Sequence, residues 1–157
     1  MYGQEQNTRE SIIEEYGKDL ERLLRYLPYL EKKKGDAQKF YEGDGNNKVI
    51  PVPVYDSTLL GFVKEARATK FMNRNYPYTY RRFRMYSPAD ERKEMQKAKI
   101  TDIELFKGIF SKYVMEGQRK GSVWTVGLQE EIFVTFLKCL KKLFFEYSSE
   151  PGKINKV

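Results

Sequence analysis

Histidine is absent from this 157-residue chain, and cysteine occurs once, as Cys139. Without histidine, Ser-His and Cys-His nucleophiles are excluded, as are His-bearing zinc and non-haem iron sites. A single cysteine excludes cysteine-based zinc sites and any intramolecular disulfide. Long apolar runs are missing too. The most apolar stretch, residues 132–145, is broken by Lys138, Lys141 and Lys142, and nothing approaches the ~18 consecutive apolar residues of a membrane span. The first seven residues carry neither a basic nor an apolar leader region, so no secretory signal is expected and a reduced, cytoplasmic setting is the default. No metal and no cofactor is expected.

What is present fits one domain, residues 1–157, given ~150 residues per domain. Residues 1–8 and 148–157 are expected to fray. Charged residues make up 32% of the chain, above the usual ~25%, and the net charge is +7. That charge is concentrated. Residues 64–86 hold Lys64, Arg67, Lys70, Arg74, Arg81, Arg82 and Arg84 against Glu65 alone, a local +6 that leaves +1 for the rest. Such an excess favours acidic partners.

Apolar periodicity predicts a mainly α fold, a single helical bundle of about four main helices. A first helix opens near Thr8 or at the capping box Ser11-x-x-Glu14, with Ile12, Ile13, Tyr16, Leu20, Leu23, Leu24 and Leu27 on one stripe. Pro28 kinks it or starts a short second helix. Around residues 38–55, Phe40-Tyr41 and Val49-Ile50 flank the turn-forming run 43–47, which fits a short β-hairpin. Pro51 and Pro53 confine Val52 and Val54 to an edge-like strand or an extended loop. A second helix, capped by Asp56 or Ser57, turns Leu59, Leu60, Val63, Ala66 and Phe71 inward. Periodicity lapses over residues 72–86, where Tyr78-x-Tyr80 alternates as a short strand against residues 49–55 would. Ser87-Pro88 starts a polar, solvent-facing helix to about Lys99. Thr101-x-x-Glu104 opens the next, which Gly117 stops. A last helix runs from Val123 or Leu128 to Tyr147.

Catalytic patterns fail. Gly43-x-Gly45 lacks the third glycine of a dinucleotide loop, and the Gly-Lys pairs lack the hydroxyl residue of a P-loop. Adjacent acids at 14–15, 90–91 and 130–131 point in different directions on helices and read as solvated faces. Cys139 falls on an apolar face with no base nearby and reads as an inert thiol. No catalytic residue is assigned. An enzyme built without histidine would rely on Tyr, Lys and carboxylates, and its mark would be a deep pocket lined by Tyr113, Glu131 or Arg119.

Two stretches are candidate binding surfaces. The first contains Arg74, Tyr76, Tyr78, Arg81, Arg82 and Arg84, where guanidinium forks suit phosphates and tyrosine faces suit unpaired bases. In the competing reading the tyrosines cover the bundle while the arginines snorkel or pair with its acids. The second places Arg119 and Lys120 beside Trp124 and a helix N-terminus, a setting for an anion. Its competing reading is a tight helical turn, with Gly117 and Gly121 at positive φ and Trp124 closing the core.

Several segments, Pro53-Val54-Tyr55-Asp56 with Leu59-Leu60-x-Phe62-Val63-x-x-Ala66, Phe71-Met72-x-Arg74-Asn75-Tyr76-Pro77-Tyr78, Gly108 to Val114, Arg119-x-x-x-x-Trp124 and Glu131-Ile132-Phe133, resemble a family of small bacterial proteins classed as a domain of unknown function. The resemblance spans residues 20–147. It implies a bacterial cytoplasmic protein and assigns no site. The expected function is a non-enzymatic binding module for an anionic partner, nucleic acid or an acidic protein surface, through residues 64–86. The alternative is a protein-interaction or homo-oligomeric subunit whose interface is the aromatics of 76–86.

Overall fold

The computed structural model describes residues 2–33, 39–41, 52–54 and 57–146. The turn expected at 43–47, the cap Asp56, the helix end at Tyr147 and the tail 148–157 lie outside the described residues. The fold is mainly α. It comprises α1 (Tyr2–Leu24), α2 (Leu27–Lys33), α3 (Ser57–Arg67), α4 (Tyr76–Phe83), α5 (Pro88–Lys97), α6 (Ile103–Arg119), α7 (Ser122–Gln129) and α8 (Ile132–Lys141). A 3-10 turn, Ile100–Asp102, precedes α6, and a π-helical turn, Lys142–Glu146, follows α8.

Eight helices stand where about four were expected among the described residues, for three local reasons. Pro28 sits in the first turn of a separate helix, α2, where its missing N–H costs no hydrogen bond. The expected last helix is two, because Glu131 adopts a left-handed backbone (φ 61°) between α7 and α8. The stretch 76–83 is helical rather than the strand its alternating tyrosines suggested. The extended pairing near 38–55 is a two-stranded antiparallel ribbon, β1 (Lys39–Tyr41) and β2 (Val52–Val54), with Phe40 opposite Pro53. The second strand, 52–54, is the edge-like strand expected for Val52 and Val54, while Val49-Ile50 lies outside the described residues.

Several boundaries also moved. α1 begins at Tyr2, so Ser11 lies inside it rather than capping it. On α3, Leu59, Val63 and Ala66 are buried as expected, and Phe62 takes the inward place expected of Leu60, which is exposed. The capping box expected at Thr101-x-x-Glu104 stands instead at the 3-10 turn before α6, where Asp102 Oδ2 accepts the Lys99 N–H at 2.9 Å, and α6 itself opens at Asp102 without a side-chain cap.

The core is aromatic and centres on α6 and α8. Phe110 and Phe136 stack at 4.1 Å with an interplanar angle of 11°, and Phe62, Phe71 and Phe133 meet this pair edge-on. Edge-to-face and offset contacts suit the ring quadrupole and add about 0.5–1.5 kcal/mol per pair beyond burial. Tyr16 of α1 stacks on Phe71 at 5.1 Å. The irregular segment after α3 is tied to this core by Ser111. Its buried hydroxyl accepts from the Asn73 N–H at 2.7 Å and donates to the Phe71 carbonyl at 3.1 Å.

Gly117 does not stop α6, which continues to Arg119; it makes room for a ring. A methyl group there would lie 1.9 Å from Trp124 Nε1, inside contact distance. Gly121 has φ −56°, so neither glycine of this connection supplies the positive φ that a tight turn was expected to need. Substituting Ala at Gly117 therefore overpacks the α6–α7 contact. Gly117→Ala is expected to cost about 1–3 kcal/mol in urea unfolding and to red-shift Trp124 fluorescence as the ring is displaced. An unchanged midpoint and emission maximum would contradict the close approach.

Candidate binding face and the Glu91 cleft

The Tyr/Arg segment is a two-faced helix. Asn75 precedes α4 and Pro77 occupies its first turn. Positions 76, 79, 80 and 83 then fall on one side and 78, 81 and 82 on the other. The inner side lies close on α6, because a Cβ at Gly108 would be 2.5 Å from Thr79 Cγ2. α4 ends on a non-glycine residue in the left-handed region, Arg84 (φ 54°), with the Met85 N–H bonded to the Tyr80 carbonyl at 3.1 Å. Burial of Met85 anchors that end.

The inward tyrosines reach acids. Tyr80 Oη donates to Glu91 Oε2 at 2.7 Å, and Tyr113 Oη of α6 donates to Glu91 Oε1 at 2.5 Å. Lys112 Nζ lies 3.7 Å from Glu91 Oε2 and 5.0 and 5.1 Å from the centres of the Tyr80 and Tyr113 rings. Glu91 is only 1% exposed. The polar helix expected to face solvent therefore buries a carboxylate and Met95 against α6 and α8. Ser87 caps it as expected, accepting from the Asp90 N–H at 3.2 Å. One turn along α6, Glu116 Oε2 accepts from Tyr76 Oη at 3.0 Å.

Burial, then the Glu91 charge and its hydrogen bond, hold the Tyr80 and Tyr113 phenols far above the usual tyrosine range. Burial and Glu116 raise Tyr76 as well, against a smaller opposing effect of Arg119. These hydroxyls are fixed as donors to carboxylates. A cleft of about 230 Å³ opens beside them, lined in part by Tyr80, Tyr86, Glu91, Lys112, Tyr113 and Glu116. It contains Tyr113, though neither Glu131 nor Arg119 lines it.

The outward residues are different. Tyr78 is 51% exposed and Tyr86 is 82% exposed. Arg74, Arg81, Arg82 and Arg84 are exposed, and none forms an ion pair with a described residue. Arg82 lies 5.0 Å over the Phe83 ring. Among the described residues these arginines pair with no acid, and Tyr78 is exposed, whereas Tyr80 and Phe83 do pack on the core with Arg82 over Phe83, so the competing expectation holds in part. At the second candidate stretch Arg119 and Lys120 are exposed, but Trp124 packs back onto α6 and its Nε1 donates to the Val114 carbonyl at 3.3 Å. Sequence reasoning singled out neither Glu91, Lys112 nor Glu116 for a site. Lys112 and Glu116 are one turn apart on α6, a spacing visible in the sequence. Their meeting with Glu91 depends on α5 docking.

Cys139 is half-buried and burial pushes its thiol up, in keeping with an unreactive side chain. Among the described residues no group of acids and cysteine is placed to hold a metal, and no helix is long and apolar enough to cross a membrane. No protein-family model, curated protein or solved structure matches the chain, so the comparisons do not bear on the resemblance drawn from the sequence.

Tyr80→Phe leaves a buried carboxylate oxygen without its tyrosine donor, and a loss of about 1–3 kcal/mol in chemical denaturation is expected. The same pair sets an alkaline response. Both phenols titrate higher in the folded chain than the ordinary value of about 10, so the unfolded state loses these protons first. Their stabilisation is complete below about pH 10 and is lost as pH rises through the folded values. Thermal melts from pH 8 to 11.5 should show stability declining above pH 10. The decline should be shallower in the Tyr80→Phe/Tyr113→Phe double variant, and equal slopes in the two proteins would contradict the assignment.

Proposed function

We propose that the protein is a non-enzymatic binding module that engages an anionic partner through the outer face of α4 and its flanks. One observation carries the reading: Arg74, Arg81, Arg82 and Arg84, on α4 and its flanks with the exposed Tyr78, are exposed and have no ion-pair partner among the described residues. Guanidinium groups left free in this way release counterions when they meet phosphates, and an exposed ring offers a stacking surface to an unpaired base. Single-stranded nucleic acid uses both features, whereas an acidic protein surface uses only the charge. Arg119 and Lys120 add positive charge as auxiliary contacts. Trp124 stood in this candidate set, and its packing on α6 argues for a supporting place instead. The bacterial, cytoplasmic setting implied by the family resemblance belongs to this proposal.

A second reading, a homo-oligomer or protein-interaction subunit, draws support from the exposure of Tyr78 and Tyr86, since aromatic and arginine residues are enriched at interface centres. A single monomeric mass by light scattering across a concentration series would count against the oligomeric form.

Fluorescence anisotropy with single- and double-stranded DNA and RNA across a salt series tests the main reading. Binding should weaken as salt rises, and Arg81→Ala or Arg82→Ala should each flatten the log–log slope by about 0.7 on a single strand. Tyr78→Ala should cost about 1–3 kcal/mol of single-strand affinity if one base stacks there. An acidic peptide serves as the competing probe. Absence of salt-dependent binding to any nucleic acid at micromolar protein and low salt would overturn the nucleic-acid form.

A further inference from the structure

The cleft behind α4 has a composition that selects its ligand. At about 230 Å³ it falls below the ~300 Å³ where drug-sized sites begin, so it holds one ring system and excludes a dinucleotide or a large cofactor. Its charged groups are two carboxylates, Glu91 and Glu116, and one ammonium, Lys112, with Ser87 and the tyrosines adding hydroxyls. Both Glu91 oxygens accept from tyrosine hydroxyls. Glu116 accepts from Tyr76 through Oε2 only, so its Oε1 accepts no hydrogen bond from a described residue. Lys112, half-buried, lies 3.7 Å from Glu91 and donates no hydrogen bond of ordinary length to a described residue. Although Lys112 and Glu116 stand one turn apart on α6, they form no ion pair. The cleft therefore presents an ammonium donor and a carboxylate acceptor one helical turn apart, each with capacity left, beside tyrosine rings.

Charge then sorts the candidates. An anionic ligand meets two carboxylates against one ammonium, and a cationic ligand meets Lys112. A neutral planar ring with a carbonyl next to N–H groups satisfies both ends. Among the nucleobases, guanine alone has two neighbouring N–H donors, at N1 and N2, flanked by a carbonyl acceptor, O6. The donors match a carboxylate and the carbonyl matches an ammonium. Splayed-out bases are read in this way, on their Watson–Crick edge and with a face on an aromatic ring. The geometry points to this cleft as a pocket for a guanine-type base, with Glu116 Oε1 accepting from N1–H, Oε2 accepting from N2–H through the lone pair its Tyr76 bond leaves, Lys112 donating to O6, and the exposed Tyr86 as the stacking ring. The inference deepens the proposed function and rests on it for the source of the base, a nucleotide of the strand held by α4.

Calorimetric titration of the full chain with guanosine, adenosine, cytidine and uridine tests the pocket without the strand. Guanosine should bind at least tenfold more tightly than the other three. Inosine, which lacks the N2 amino group, and 1-methylguanosine, which lacks N1–H, should each lose most of that preference. These ligand-side changes keep the test independent of folding. Glu116→Gln should abolish the preference for guanosine. Equal binding of all four nucleosides, or no saturable binding of guanosine, would overturn the pocket. If that result came with salt-dependent binding of an oligouridine, the pocket would fail while the α4 reading stood. Selective guanosine binding without binding of any oligonucleotide would support the pocket and overturn the α4 reading.

Discussion

A buried carboxylate held by two phenols fixes the arrangement on which the rest of the molecule's surface depends. Glu91 comes from α5, a helix with too little apolar surface to dock by burial alone. Its oxygens take hydroxyls from α4 and α6, with the Lys112 ammonium nearby. Burying a charge without partners is costly, so the docking of α5 is energetically coupled to the inward face of α4 as well as to α6. Once Tyr80 is committed to Glu91 and Tyr76 to Glu116, the 3.6-residue period leaves Tyr78, Arg81 and Arg82 facing outward.

The charge of the same segment faces outward. Glu91 and Glu116 accept from tyrosine hydroxyls, and the arginines beside those tyrosines form no ion pair among the described residues. A local excess of +6 over residues 64–86 thereby becomes a surface property rather than an internal balance. Close backbone approach contributes too. Gly108 admits Thr79 and so brings α4 down onto α6, while Gly117 admits Trp124 and so removes the indole from the basic face. Exposed arginines and an exposed tyrosine lie on the outer side of α4, and a polar cleft lies on its inner side.

Much of the fold was legible because long amphipathic stripes dominate it. Ile12, Tyr16, Leu20 and Leu23 are buried as the wheel of α1 requires, and α6 and α8 carry the core that their apolar faces announced. Local chemistry also read correctly at Ser87-Pro88. What was missed depends on tertiary partners. The inward set 76, 79, 80 and 83 has helical spacing, but its members are tyrosines and a threonine, and hydrophobicity does not mark them as a core face. Glu91 looked solvated because the phenols that satisfy it are distant in sequence, on α4 and α6. Gly117 resembled a helix stop because its real neighbour, Trp124, comes from the next helix. Of the site, the arginines and Tyr78 were visible in composition, whereas the cleft of Lys112 and Glu116 needed the docked α5.

The most direct measurement of the central claim is the hydrogen-exchange footprint of a single-stranded RNA on the intact chain at low salt. Protection centred on residues 74–86, weakening as salt is added, is the result this account predicts. A footprint confined to another face, or none at RNA concentrations that saturate binding, would contradict it.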